Sequence, residues 1–498
     1  MAEPTKRRLD DLLIPGRFLN VAALLLEFSV FSQAAFMYYM MYAGAAPKLQ
    51  NCGNEVGTCS QFDAGNCSEP HFNVQFNSIN VEWGYVCGLS RIVKKSISYQ
   101  MVGVLVGTVV FGQLAEDLGR KIALLMAMVG STIMFFATAF TFDLTSFTLI
   151  RTIGGFFSGG QIVLALVFML ETTPKSMRMW ISLCISWSPN IIIFSALAYW
   201  TQSWQQLTLV VGIISVIPIL ILLFLVPESP RWLLQKGRLG DAKNALNWIY
   251  KLNKKVLDPA TLEEVLNLEI QARQSSTKKS SYTLLDVFKH RSLAVPMIVL
   301  CTTIMFTAIN SYGIIFNIEE LSGVIYVNAA LNGILRYSFN IMFAILEPRI
   351  PSMGRKNMHT FSVSVVLVAL AVVIYGQFSE IATLKPIISF FLVLAASMAS
   401  QQYQLRPMNY YLHPFEQLVI HWFSIVITGV IGAPLIFFLA DISPHLPFLM
   451  MFTLGILQLI LFQVFVPETK GQAMQEHMPV KTNQGYMLPP EQGLVTKM

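Results

Sequence analysis

The sequence predicts an all-α membrane protein with twelve transmembrane helices arranged as two six-helix halves. Three observations predict this. The 498 residues are 54% hydrophobic and only 12% charged, with a mean hydropathy of +0.57. Apolar runs of about 20 residues, the length that crosses ~30 Å of hydrocarbon, recur twelve times, near 20–45, 96–115, 122–140, 145–171, 179–199, 207–226, 293–316, 322–346, 358–377, 382–404, 417–440 and 446–466. Features of the first half also return in the second: Gly119-Arg-Lys as Gly354-Arg-Lys356, Pro174 as Pro414, and Pro227-Glu228 as Pro467-Glu468, at offsets of 235, 240 and 240 residues. A near-constant offset is the mark of a parallel internal repeat.

The polar residues 1–19 precede a first apolar run too long for the core of a cleavable signal peptide, so they are expected to form a cytoplasmic N-terminus. The formal charge of +6 does not point to nucleic acid, because the basic residues sort by membrane side. Lys6, Arg7, Arg8, Arg120, Lys121, Lys175, Arg178, Arg355 and Lys356 fall in the N-terminus or in alternate short loops, the cytoplasmic positions of the positive-inside rule. Lys94 and Lys95, before the second span, are a local exception. An even number of spans then puts both termini inside.

The first span carries Glu27 in an otherwise apolar run. Such a carboxylate either faces a cavity or partner or lies near the inner boundary and reaches water. The polar loop 46–95 follows, with Cys52, Cys59, Cys67 and Cys87. Four cysteines outside the membrane imply two disulfides with three possible connectivities. Asn66-Cys67-Ser68 is a glycosylation sequon on the same face. Cys184 and Cys301 lie inside spans and are expected to pack.

The second span places Gly103 and Gly107 at the spacing that lets two helix backbones approach. It ends in Glu116-Asp-Leu-Gly-Arg-Lys121, where Gly119 permits a sharp reversal. The fourth span holds Arg151, Gly154, Gly155, Gly159 and Gly160 and ends at Glu171-Thr-Thr-Pro-Lys-Ser-Met-Arg178. Arg151, Glu171 and Arg178 are expected to join Arg120 and Lys121 in a charged network at the cytoplasmic end, either a gate that breaks and remakes or static glue. Pro227-Glu-Ser-Pro-Arg231 stops the sixth span and adds Glu228 and Arg231 to that network. Residues 227–292 form a cytoplasmic central loop with an amphipathic helix (Ala242, Leu246, Ile249, Tyr250), a second helix starting at Asp258-Pro259 and a polar linker at 275–281. The halves are thus 20–226 and 293–466, with a cytoplasmic tail at 467–498. The second half contributes Arg355, Lys356 and Glu468 to the inner gate but has Tyr411 and Leu418 at the places of Glu171 and Arg178.

These residues together resemble the major facilitator superfamily, and within it the organic cation/anion/carnitine transporters (solute carrier family 22). The Gly112–Lys121 turn, Glu171…Pro174…Arg178, Pro227-Glu-Ser-Pro-Arg231 and Pro467-Glu-Thr-Lys-Gly471 also look like sugar porters. The long cysteine-bearing first loop and Glu82-Trp-Gly-Tyr-Val-Cys87, similar to the organic-ion family's Glu-Trp-Asp-Leu-Val-Cys, separate the two. The resemblance covers nearly the whole chain and is sharpest from Glu82 to Leu234. It implies alternating access around a midplane cavity, a small organic ion as substrate, the lipid bilayer as surroundings, the plasma membrane as location, and no cofactor or metal.

Several departures bear on the substrate. Glu116 and Asp117 stand where the family has Asp and Arg, and Ile162 and Leu166 where cation carriers place aromatic rings. The span 417–440 has neither Asp nor Arg, only His421 and Thr428. Arg336 stands where similar proteins have an acid. It meets either an anionic substrate group or Glu27 across the halves, and the pair is preferred because an isolated arginine at mid-depth is costly. Arg406 is expected at the membrane interface, and Trp187, Asn310 and Tyr312 line the cavity or pack. A transporter-fold protein serving as receptor or regulatory subunit is the alternative that the lost second-half charges motivate, and a sugar-porter-like carrier is a third. An enzyme is not expected, for there is no phosphate-cradling glycine loop with Lys-Ser/Thr, no zinc-spaced His/Cys cluster and no nucleophile elbow.

Overall fold

The computed structural model describes residues 9–53, 55–174, 184–276, 291–315, 323–350, 354–379, 385–401, 445–466, 480–482 and 485–487, with single positions in 177–181 and 435–443. Among the described residues the first half has six long helices: α1 (Arg17–Ala43), α2 (Ser90–Leu118), α3 (Arg120–Ala139), α4 (Leu144–Thr172), α5 (Trp187–Thr201) and α6 (Trp204–Leu225). Three shorter helices follow, α7 (Pro230–Gln235), α8 (Leu239–Leu252) and α9 (Pro259–Ser276). The second half shows α10 (Arg291–Ile315), α11 (Ile325–Arg349), α12 (Arg355–Phe378), α13 (Lys385–Gln401) and α14 (Leu446–Phe465). Among the described residues, seven helices are long and apolar enough to cross a membrane: α1, α2, α3, α4, α6, α12 and α14. The expected span 417–440 lies almost wholly outside the described residues, as do Tyr411, Leu418 and Arg406.

Helix boundaries follow local chemistry. Asp143 caps α4, its carboxylate accepting from Thr145 N (3.0 Å) and Ser146 N (3.2 Å). Ser229 caps α7 in the same way, accepting from Trp232 N (3.2 Å). Pro230 takes the first position of that helix. α2 starts six residues before its apolar run, at Ser90, so Lys94 and Lys95 ride on a helical extension into the loop. α5 begins at Trp187 after a bend at 185–186; the expected start of this span near 179 lies outside the described residues, and Cys184 is exposed where packing was expected.

Close backbone approach of α2 and α4 organises the first half. A Cβ added at Gly103 would collide with the Thr152 carbonyl and one at Gly107 with the Phe156 carbonyl; Gly155 and Gly159 meet the Gln100 and Val104 carbonyls from the other side. The loop after α1 carries a small antiparallel sheet of β1 (Lys48–Cys52), β2 (Glu55–Val56) and β3 (Pro70–Asn73), in the order β2-β1-β3. Its cysteines pair as Cys52–Cys67 and Cys59–Cys87, selecting one of the three connectivities.

Two ends of the bundle can be told apart, one carrying this loop and the other the Gly119 turn. At the loop end a single apolar core draws on both halves, including Met37, Tyr38, Met41 and Tyr42 of α1, Ile304, Ala308 and Ile309 of α10, and Ile325 and Tyr326 of α11. Toward the turn end this core continues through the second half as far as Met358 of α12, and among the described residues two further cores lie beside it. One runs from Leu9 to Leu266 and draws on the first half and the helices that follow it, packing the single turn Leu9–Leu12 against Leu262, Val265 and Leu266. Another joins Val299, Leu300, Phe462 and Val466 of the second half. The halves therefore seal against each other at the loop end.

Candidate functional site

The turn-end network is built on Gly119, whose φ of +115° reverses the chain between α2 and α3. A side chain there would press on the Glu228 carboxylate, with Oε2 2.5 Å from its Cβ. The missing side chain lets Glu228 cap α3. Both its oxygens accept from Lys121 N (2.9 and 3.1 Å), and Oε1 also accepts from Ser229 N (2.9 Å). The positive end of the α3 dipole favours this carboxylate, yet burial dominates and pushes the Glu228 carboxyl above its usual range. Arg120, 3% exposed, donates Nη2 to Glu116 Oε1 (2.7 Å) and Nε to Glu171 Oε1 (3.4 Å), tying α2, α3 and α4 together. Trp232 Nε1 adds a bond to the Glu116 carbonyl (3.0 Å), which docks α7 beneath the turn.

Lys121 reaches the carbonyl end of α6, with Nζ 3.2 Å from Leu223 O, and in the second half Lys356 Nζ lies 2.7 Å from Gln463 O at the end of α14. The internal repeat thus extends from sequence to contact. Asp117 is exposed and faces Lys236 at 4.0 Å, a surface pair of little energetic weight. Arg231 sits on the first turn of α7. Arg178, Glu468 and the Arg355 side chain lie outside the described residues.

Arg151 does not belong to this network. It lies about two turns into α4 from the loop end. At a rise of ~1.5 Å per helical residue, Glu171 is roughly 30 Å away along the same helix. The Arg151 guanidinium is 1% exposed and held by neutral partners: Gln100 Oε1 (2.7 and 3.2 Å) and the Phe36 carbonyl (2.7 Å), over the rings of Phe36 (3.9 Å) and Tyr39 (4.7 Å). The chain direction decides it, since α4 runs from the loop end to the turn end and only its last residues can meet Arg120.

Between the two ends lies a polar seam where the halves face each other. Arg336 of α11 donates Nη1 to the Tyr38 hydroxyl of α1 (2.9 Å), and Tyr38 packs edge-on against Trp187 of α5 (6.0 Å). Asn340 Nδ2 reaches Ser188 Oγ (3.3 Å) and Ser186 Oγ (3.4 Å). The Glu27 carboxyl lies beside the Asn190 side chain, on the same seam as the Arg336–Tyr38 contact. Asn310 is 2% exposed on α10, and its Oδ1 has no hydrogen-bond partner among the described residues. The Tyr312 side chain lies outside them.

Sequence reasoning missed Tyr38. Tyr38, Tyr39 and Tyr42 in one apolar span were the available signal, because a buried tyrosine hydroxyl needs a partner.

The family model described as "Sugar (and other) transporter" matches residues 90–480. The chain belongs to the sugar (and other) transporter family. Among curated proteins it is similar to solute carrier family 22 member 4 of Mus musculus, 27% identical over 266 residues, covering 53% of this chain and 47% of that protein. It is also similar to organic cation/carnitine transporter 2 of Homo sapiens, 25% identical over 418 residues, covering 81% and 72%. The chain thus spans about half the length of member 4 and more of the second relative. Among solved structures, the major facilitator superfamily proton:xylose symporter XylE bound to 6-bromo-6-deoxy-D-glucose superposes with a TM-score of 0.64 at 15% identity, covering 92% of this chain and 98% of that one. A partially occluded inward-open form of XylE from E. coli gives 0.61. The fold is that of the major facilitator superfamily, and the proteins named here are transporters by name. The family member described here spans the membrane.

Proposed function

We propose that this chain is a plasma-membrane transporter of small organic ions that works by alternating access, with both termini cytoplasmic. The observation that carries the reading is the arrangement of the two halves: they share one apolar core at the loop end, and a polar seam lies between them deeper in the bundle. A solute reaching that seam from the turn end meets Arg336, Tyr38, Trp187, Asn340 and Glu27, a set that offers a cation, a carboxylate and ring faces to an organic ion. The names of the relatives, organic cation/carnitine transporter 2 among them, support organic ions as the cargo. Rocking of the halves exchanges the sealed end, while the Arg120–Glu116–Glu171 and Lys121–Glu228 contacts hold α2, α3, α4 and α7 as one body at the turn end.

The test is uptake into cells expressing the chain, with a labelled organic cation, a labelled organic anion and labelled carnitine, each with and without a hexose competitor. Saturable uptake of at least one, insensitive to hexose and reduced at least tenfold by Arg336→Ala, is expected. No uptake of any of the three by protein shown to be at the cell surface would refute the proposal.

A further inference from the structure

The stretch 75–82 of the first loop is rooted in the first half. Asn77 N donates to the Gln202 carbonyl (3.0 Å), and Trp204 N donates to the Asn77 carbonyl (3.2 Å). Ser78 Oγ donates to the Ala45 carbonyl (2.6 Å) and Asn80 Nδ2 to the Gly44 carbonyl (2.7 Å). Glu82 Oε2 accepts from Trp204 Nε1 (2.7 Å) and Gln205 Nε2 (2.6 Å). These bonds fix the loop to the end of α1 and to the α5–α6 turn.

From that root Gln75 reaches across to the second half by hydrogen bonds. Gln75 Oε1 accepts from Ile325 N (3.0 Å), and its Nε2 donates to the Gly323 carbonyl (3.2 Å). The Tyr326 hydroxyl donates to the Gln75 carbonyl (2.8 Å), with Gln202 Oε1 at 3.2 Å. The Tyr326 ring is stacked on Tyr42 (5.6 Å) and met edge-on by Tyr199 (5.4 Å) and Phe76 (6.5 Å), all three from the first half. Everything that Gln75 and Tyr326 join across the halves must part when the loop end opens, because the loop travels with the first half and α11 with the second.

We propose that Gln75 and Tyr326 form a latch that holds the loop-end mouth shut and sets how often it opens. The proposal rests on the alternating-access reading above and adds that the first loop is a working part of the gate. Each hydrogen bond lost without replacement is worth a fewfold change in an equilibrium, so removing the Gln75 amide favours the open mouth by about tenfold.

The experiment uses the full chain in cells, with Cys184→Ser and Cys301→Ser to clear the background and Tyr38→Cys as reporter in the seam. Labelling from outside by a membrane-impermeant maleimide is timed, alone and with Gln75→Ala or with Tyr326→Phe, which keeps the ring and deletes the hydroxyl. Only surface-delivered protein is scored. Labelling about tenfold faster with Gln75→Ala, and severalfold faster with Tyr326→Phe, is expected. Unchanged labelling in both variants would overturn the latch. Faster labelling in a chain whose parent takes up none of the three solutes would support the latch while counting against transport, so the two readings fail separately.

Discussion

The carboxylate of Glu228 serves two helix starts at once, and its removal gives a prediction with a definite size and a definite pH dependence. In Glu228→Ala, Lys121 N and Ser229 N both lose their acceptor. Both sites are partly buried, so each loss sits at the low end of the roughly 1–3 kcal/mol range for an unmet donor, about 2 kcal/mol in total. Glu228→Gln keeps one oxygen in place and is expected to cost about half as much near neutral pH or less. The pH dependence separates charge from shape. Burial raises the Glu228 carboxyl above its ordinary value of 4.5, with the hydrogen bonds from Ser229 and Lys121 opposing the shift without cancelling it. The protonated form is therefore favoured on folding. Its contribution is complete below the ordinary carboxylate range and is lost as pH rises through the raised value. Glutamine does not titrate, so the stability of Glu228→Gln relative to the parent must improve from pH 4 to pH 7.5. Thermal unfolding of the purified full chain in detergent, followed by tryptophan fluorescence across that range, measures it. Parallel parent and glutamine curves would refute the dominance of burial, and an alanine variant as stable as the glutamine one would refute the capping role.

Three further outcomes follow from the geometry. Gly107→Leu drives a side chain into the Phe156 carbonyl and should abolish folded, surface-delivered protein, whereas substitution at the open position Gly240 should be tolerated; surface biotinylation compares them. Cys52→Ser should destabilise the loop by about 3 kcal/mol, and Cys59→Ser by several tenths more. The order follows from sequence separations of 15 for the Cys52–Cys67 bridge and 28 for Cys59–Cys87, and it is read as graded loss of surface delivery. Arg120→Ala with Lys121→Ala should slow uptake at least tenfold at unchanged surface level, since it frees α3 from Glu116, Glu171 and Leu223; unchanged uptake would remove the pair from the gate.

Legibility in the sequence depended on whether a signal was local. The turn Glu116–Lys121, the Glu171 contact and Pro227-Glu228 were readable because charges at a membrane surface beside a glycine have few places to go. The position of Glu27 was not, because an apolar run fixes neither the depth of a residue nor the face it presents. Arg151 was legible, since the alternation of spans already runs the fourth from the loop end to the turn end with Arg151 near its start, whereas Arg336 needed the rotation of α11 toward Tyr38. Disulfide pairing is set by a three-stranded sheet too short and irregular to announce itself. Gln75 was invisible for a related reason, lying in a polar loop without periodicity, its partners 250 residues away.

The paired lysine contacts at the turn end also bear on where a rocking protein bends. Lys121 ties the start of α3 to the end of α6, and Lys356 ties the start of α12 to the end of α14. In each, a cation is set against the carbonyl end of a helix. Each half thus has its own cross-brace between two helices that pack within that half. A braced pair resists shear, and further bonds within each half, from α1 to α4 and α6 and from α10 to α14, stiffen it in the same sense. On the alternating-access proposal, each half therefore moves as one frame and the change falls on the contacts between the halves.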